Sequence, residues 1–533
     1  MSRNEPTYDA IVVGSGASGS WAAKELTEGG LKVVLLEAGK DLDVARDFPA
    51  DAEMGQIGMV GRVRSALQGQ QVQARCSSFS ETTKQFYVND RKNPYRTPRG
   101  KPFLWIRGRQ LGGRLHTWSR HVPRMSNYEL KAATIRGDGV DWPLSYEDLA
   151  PYYDVVERTL GVYGKPAGIP NCPDGQFIGP AKTTKIEEAF LTNVEKRLPD
   201  VRVTYGRKVT YDNQRVPLPV RLALATGRLE IRTDAVVSRL LIDARSGKAT
   251  GVEYIERLTK NTRAVQGKVV VLCASAIESV RILLNSQSAK HPSGVGGSSG
   301  HLGRYLCDHI AYTQTGTVSE GDVEPAFNED GFDFAAGLYI PSFCEKESKN
   351  FPGGYGIQIY IGRGTPVWLM SAFGEMQPRY ENHVSLDPTV KDAWGIPVAR
   401  IECSHSQDDV NMVAHMKRKI PEIAAAGGLQ VDGNLDVGRW NIPSRLLRSL
   451  VLANYGALWP GGAVHETGGA RMGDKPDNSV LNSYCQCWDA DNVFVTDGAC
   501  FVSPGFQNPA LTIMALTVRA CRFIVRDYAK CVN

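Results

Sequence analysis

At 533 residues the chain is too long for one simple core, so two intertwined units are expected. Its 42% hydrophobic and 22% charged residues, with no repeat period and no low-complexity tract, are the composition of a soluble globular enzyme and exclude a repeat architecture. The net charge of +5 comes with no recognition module, which argues against a nucleic-acid partner. The first nine residues contain no apolar run suited to a signal core. The longest apolar run, around 269–277, is too short to span a bilayer, so a cytoplasmic protein without membrane insertion is the expectation.

The first element is a short β-branched strand that runs into Gly14-x-Gly16-x-x-Gly19. A helix over 20–26 and a second strand over 31–36 follow, and Glu37 ends that strand eighteen residues after Gly19. The three glycines act separately. Gly14 permits the tight turn, Gly16 the close approach of a pyrophosphate, and Gly19 the packing of helix on strand. The helix N-terminus offers free N–H groups and partial positive charge to phosphates, and Glu37 accepts from ribose hydroxyls. Dinucleotide binding follows, without a choice between FAD and NAD.

Residues 61–124 carry fourteen Lys and Arg but only two acids, Glu81 and Asp90. This excess could serve a pyrophosphate, an anionic substrate or an acidic electron-accepting partner, or it could be a solvated face. Within it, 61–100 shows no periodicity and reads as a lid or an oligomer-contact loop. The aromatics Tyr355, Tyr360, Trp368 and Phe373 could stack on sugar rings or serve as core packing. The eleven cysteines are scattered, and Cys485-Gln-Cys487 lacks a second pair, so neither a metal site nor an iron–sulfur cluster is expected. Buried, reduced thiols are the expectation.

His465 opens the glycine-rich loop His465-Glu-Thr-Gly-Gly-Ala-Arg-Met-Gly473, an odd place for a packing histidine. A further strand, 493–496, closes on Asp497-Gly498. Asn508 then caps a helix expected to begin at Pro509, apolar on nearly all faces as far as Ala520 and therefore buried. A base and a second polar group would suit hydride abstraction, and the buried helix N-terminus would suit a group that becomes anionic.

Together these residues resemble the glucose–methanol–choline oxidoreductases, FAD enzymes that oxidise alcohols. The likeness also rests on Gly108-Arg-Gln-Leu-Gly-Gly-Arg-Leu-His-Thr-Trp118, on Trp142-Pro-Leu-Ser-Tyr-Glu-Asp-Leu-Ala-Pro-Tyr-Tyr153, on Val269-Val-Val-Leu-Cys-Ala-Ser-Ala-Ile-Glu278 and on Gly303-Arg-Tyr-Leu-Cys-Asp-His309. His465-x-x-Gly-Gly-x-Arg-Met-Gly with Asn508-Pro-x-Leu-Thr is most similar to pyranose oxidases and to bacterial sugar and glycoside dehydrogenases.

The resemblance implies His465 as base and Asn508 as the residue that orients the substrate hydroxyl. It implies FAD contacts from Gly14, Gly16, Ser18, Gly19, Glu37, Ala38, Arg109, Gly112, Gly113, Thr117, Val237, Asp497, Gly498, Pro509 and Thr512, and no metal. Flavin-bonded relatives carry a histidine where this chain has Thr117, with His116 one step earlier, so non-covalent FAD is expected.

The expected fold is α/β. A Rossmann-like FAD domain would be built from 1–60, 101–140, 225–310 and 455–533. A discontinuous substrate domain with an antiparallel sheet would be built from 141–224 and 311–454. The expected reaction is oxidation of a ring secondary hydroxyl of a sugar or glycoside, with electrons passed to oxygen, a quinone or a soluble carrier. Alternatives are a small or natural-product alcohol, a non-redox FAD lyase, and a dehydrogenase subunit dependent on a small partner subunit that carries the export signal.

Overall fold

A computed structural model of the chain describes residues 7–47, 57–76, 78–180, 182–210, 212, 214, 216–325, 337–341, 343, 351–431 and 459–528. Its larger sheet is parallel at the centre. Tyr8–Val13 lies between Val33–Leu36 and Thr262–Leu272, and Leu229–Arg232 extends the edge beyond Val33–Leu36. Thr262–Leu272 works in two halves. Residues 267–272 run parallel to Tyr8–Val13 and Val493–Val495, whereas 262–266 pair antiparallel with Ala249–Glu256, which in turn pairs with Ala235–Ile242.

A parallel sheet must be covered on both faces, and the alternation of side chains delivers this. Ala10, Val12, Val33, Leu35, Val269 and Val271 enter one core with Ala22, Ala23 and Leu26 of the helix Ala17–Glu28 and Cys521 and Ile524 of the helix Ala510–Arg526. Ile11, Val13, Val34, Leu36, Val270 and Leu272 enter the opposite core, which continues into the second sheet.

The second sheet is antiparallel throughout, in the order His309–Thr317, Val367–Glu375, Tyr355–Ile361, Leu338–Ile340 and Thr204–Tyr205. Trp368, Met370 and Ala372 are fully buried, as are Met416 and Ile420 of the helix Gln407–Ala426, which packs against this sheet. The expected α/β class with an added antiparallel sheet is what the chain adopts.

Residues 61–100 lack periodicity because they form short helical turns, among them Gln73–Arg75 and Lys84–Phe86. These turns close around a small core of Ile57, Ala74, Cys76, Phe79, Tyr87 and Ile106. Nine cysteines are free and buried; Cys344 and Cys531 lie outside the described residues, as do the first six residues of the chain. Among the described residues no helix is long and apolar enough to cross a membrane.

Candidate active site

The glycine loop forms a cradle at the carboxyl end of Tyr8–Val13. Gly14 has φ +98°, and a Cβ there would lie 2.4 Å from the Cys273 carbonyl oxygen. A Cβ on Gly19 would lie 1.8 Å from the Gly14 carbonyl oxygen, so both positions demand glycine for the protein's own packing. Gly16 differs: a Cβ there would meet nothing within 4 Å. Its face, at the N-terminus of Ala17–Glu28, is open. The Gly112-Gly113 turn stands over this opening, both residues at positive φ, with the Gly113 Cβ position 3.3 Å from Gly16 Cα.

Glu37 is buried and tied into the cradle. Its carboxylate accepts from the Ser15 hydroxyl, from the Ser15 N–H at 3.2 Å and from the Gly39 N–H at 2.8 Å. The Ser15 hydroxyl oxygen also accepts from the Gly112 N–H at 2.9 Å, which joins the two glycine turns. Burial raises the Glu37 carboxyl above the usual range. Ala38 is half-buried beside it, and the Ala235 N–H bonds the Glu37 carbonyl, so Val237 lies on the strand leaving this corner. At the other end of the cradle, Asp497 accepts from the Ser279 hydroxyl and the Ala499 N–H, and burial raises it to about 6. The Thr467 hydroxyl is buried and unpartnered beside Gly498.

The reacting end is assembled by one chain crossing. Cys307 and Thr467 exchange backbone hydrogen bonds at 2.9 and 3.0 Å, which docks the start of His309–Thr317 on the His465 loop. Asp308 then clamps that loop, accepting from the Ala463 and His465 N–H groups, each at 3.0 Å. Burial and the nearby Glu466 push Asp308 up to about 7. Arg114 holds the same turn from the far side, bonding the Val464 carbonyl at 3.0 Å and pairing with Glu466 at 2.9 Å.

His465 Nδ1 lies 2.8 Å from His309 Nδ1, and its Nε2 lies 3.2 Å from Asn508 Nδ2. Gln358 donates to the Asn508 carbonyl oxygen at 2.7 Å, and the Phe373 ring packs against both histidines. Burial, reinforced by His309, Arg114 and His121, holds His465 well below the ordinary histidine range. Burial lowers His309 to about 4. The site therefore presents a neutral imidazole beside an oriented amide, an arrangement suited to taking a proton from a hydroxyl.

A model for GMC oxidoreductase matches residues 8–311, and a second model of that description matches 378–517. The chain belongs to this family. It is accordingly an FAD-dependent alcohol oxidoreductase acting on CH–OH donors. The open face at Gly16 and the unpartnered Thr467 hydroxyl fit FAD, with the cradle residues placed to hold it. One relative, the 2-methyl-1,2-propanediol dehydrogenase of Mycolicibacterium austroafricanum, is 28% identical across 100% of this chain and 98% of its own. A C-glycoside 3-oxidase from Arthrobacter globiformis is 25% identical across 63% of this chain and 64% of its own. The solved structure of a formate oxidase from Aspergillus oryzae is 14% identical, covers 99% of this chain and 100% of its own, and superposes with a TM-score of 0.68, which establishes the fold.

Several of the residues expected at the cofactor in this GMC oxidoreductase also have partners or places within the protein's own structure. The Ser18 hydroxyl bonds Thr496 at 2.9 Å and Thr517 at 3.1 Å, joining strand to helix inside the protein. Thr512 is fully buried on Tyr153, with 2.9 Å between their oxygens. Arg109 pairs with Glu278 at 3.0 Å and lies over Trp394. Thr117 closes the turn Gly113–His116, and Pro509 directly precedes Ala510–Arg526, one residue before the helix proper.

The basic stretch is divided between the interior and the surface. Arg62 is buried and bonds the carbonyls of Ala74, Cys76 and Phe79. Arg107 is buried over Trp105, and Arg124 pairs with Asp154 and Glu157. Arg64, Arg91, Lys92, Arg96, Arg99 and Lys101 remain exposed.

Two of the four candidate stacking aromatics face away from the site. Tyr355 bonds His415, and Trp368 bonds the Gln430 carbonyl, both on the far side of the sheet. Two functional candidates, His309 and Gln358, carried no role in the sequence. His309 closes the motif that begins at Gly303, but nothing local marks a histidine as the neighbour of a residue 156 positions away.

Proposed function

We propose that this enzyme oxidises a secondary ring hydroxyl of a sugar or glycoside, with His465 as the base and Asn508 orienting the hydroxyl. The observation that carries this reading is the His465–Asn508 pair, 3.2 Å apart, at the head of a sheet face that presents Thr313, Gln358, Tyr360, Ser371 and Phe373. Hydroxyls, an amide and aromatic rings in alternation suit a polyhydroxylated ring better than a purely apolar alcohol. The likeness to the C-glycoside 3-oxidase supports the same class.

A substrate hydroxyl can donate to His465 Nε2 while it accepts from Asn508 Nδ2–H, which fixes the oxygen and so the direction of its C–H bond. Bound FAD supplies the acceptor for the hydride leaving that carbon. Asp308 and Arg114 keep the histidine loop from yielding as its ring takes up the proton. The buried N-terminus of Ala510–Arg526 favours negative charge gathering nearby. FAD is held non-covalently in this reading, because the His116 ring is turned onto the Leu111 carbonyl at 2.8 Å and stacked on Phe86. The parallel sheet is the FAD-holding unit and the antiparallel sheet the substrate-holding unit. Electrons then pass to oxygen, a quinone or a soluble carrier.

A second reading, a small vicinal diol, is favoured by the full-length likeness to the Mycolicibacterium dehydrogenase. Anaerobic addition of glucose, methyl glucoside and 2-methyl-1,2-propanediol, followed by flavin absorbance, separates the two. Bleaching by a sugar supports the first reading, bleaching by the diol alone moves the assignment to the second, and admission of air then distinguishes oxidase from dehydrogenase. His465→Ala should retain the flavin and slow its reduction by about 10²–10⁴-fold. Reduction of that variant at the wild-type rate removes His465 from the role of base.

A further inference from the structure

The two histidines face each other through like atoms, Nδ1 to Nδ1 at 2.8 Å, so a single proton must lie between them. The far side of His309 decides which ring owns it. His309 Nε2 points at the Pro504 carbonyl, 3.5 Å away, and the neighbouring Gly505 backbone also accepts from this ring. A carbonyl only accepts, and Pro504 has no N–H to offer, so His309 carries its proton on Nε2. A neutral ring protonated at Nε2 has a bare Nδ1. His465 must therefore donate its Nδ1–H to His309 and keep its own lone pair on Nε2.

We infer that His309 is a positioning residue which, anchored on the Pro504 carbonyl, fixes the tautomer of His465 so that Nε2 is the basic atom facing Asn508. The inference rests on the reading of His465 as the base. It continues without a break on the other side. With Nε2 bare, Asn508 must present its N–H at 3.2 Å, which leaves its oxygen to accept from Gln358 at 2.7 Å. Five groups thus form one directed chain, from Gln358 through Asn508, His465 and His309 to the Pro504 carbonyl, and each has a single consistent orientation. The substrate hydroxyl enters where the chain is longest among its side-chain links, between Asn508 and His465.

His309 stays neutral in this role because burial lowers its affinity for protons. It accepts a hydrogen bond without taking the proton, as a carboxylate or backbone carbonyl does behind other catalytic or metal-binding histidines. Once His465 is protonated at Nε2, its Nδ1–H remains bonded to His309, and the imidazolium cannot rotate away from the site.

Proton-detected nitrogen NMR of the FAD-loaded enzyme, with histidine rings labelled and His465 identified by its loss in His465→Ala, reads the tautomer directly and needs no substrate. The wild type should show His465 protonated at Nδ1 and bare at Nε2. His309→Asn, which keeps an acceptor oxygen near the Nδ1 position, should preserve that pattern. His309→Leu should lose it in favour of Nε2–H. A wild-type His465 protonated at Nε2, or an unchanged Nδ1–H in His309→Leu, overturns the inference. These results are independent of the reduction rate of His465→Ala, so failure of the tautomer assignment and failure of the base assignment are distinguishable.

Discussion

Val464 adopts φ +63°, a conformation that a β-branched residue enters only under constraint, at a cost of about 1–3 kcal/mol. It directly precedes His465. Asp308 bonds the backbone on both sides of it, and Arg114 holds its carbonyl, so the strain is sustained by groups that also aim the imidazole. The electrostatics of that imidazole lead to a kinetic expectation. In the proposed role His465 works as a neutral base, and burial with the neighbouring His309, Arg114 and His121 places its protonation well below the ordinary histidine value of about 6.5. The rate of flavin reduction should therefore be flat across pH 7 to 8 and fall only on acidification below about 6.5. Stopped-flow reduction over that range checks it; an acid limb centred above pH 7 contradicts the burial argument.

At the scale of elements, the glycine loop separates folding from cofactor binding. A side chain at Gly19 would meet the Gly14 carbonyl oxygen at 1.8 Å, whereas one at Gly16 would meet nothing within 4 Å. Gly19→Ala should therefore lower the melting temperature of the apoprotein, while Gly16→Val should leave it nearly unchanged and weaken FAD binding at least tenfold. Thermal unfolding of both apoproteins and flavin titration of the Gly16 variant measure the two effects. Equal destabilisation by both would show that the opening over Gly16 is not the cofactor's. The antiparallel sheet teaches a related lesson. Tyr355 and Tyr360 are five residues apart on one strand, as are Trp368 and Phe373, and an odd spacing puts the members of each pair on opposite faces. Period-two reasoning alone sorts those aromatics, once the segments are taken as strands. Which face holds the site is a separate question, answered by Gln358 meeting Asn508 and by Phe373 packing against His309 and His465.

Across the whole molecule, charge that looks like a surface property in the sequence turns out to be partly internal. Arg124 is 3% exposed and Glu157 is 0% exposed, and they form a two-point ion pair to which Asp154 and the Tyr146 hydroxyl add. Removing one partner of such a buried pair leaves the other uncompensated, typically at about 3–5 kcal/mol. Arg124→Ala should show a large fall in melting temperature, and adding Glu157→Gln should recover part of it by removing the stranded charge. A single variant as stable as the wild type would return Arg124 to the solvated face first considered for the basic stretch. Arg109 and Arg114 follow the same pattern, pairing with Glu278 and Glu466 at sequence separations of 169 and 352 residues.

What the sequence determined by itself lies in short-range physics. Turn chemistry placed the Gly14–Gly19 loop, and short β-branched runs placed the strands beside it. The Asn508-Pro509 pair placed the last helix within one residue of its start, although Pro509 and not Asn508 is the N-cap, because the Asn508 amide bonds Gln358 and His465 instead. Each depends on backbone sterics or hydrogen bonding over a few neighbouring residues, and so can be read locally. The pairing of His465 with Asn508 was also accessible, because the chemistry requires a base and an orienting group and the likeness to known oxidoreductases names both. Only the tertiary structure decided the company those residues keep. The strand crossing at Cys307 and Thr467 brings His309 behind His465, and the second sheet brings Gln358 behind Asn508. Contacts across more than a hundred residues leave no periodic or compositional trace, because their geometry is set by the packing of whole sheets and not by any local preference.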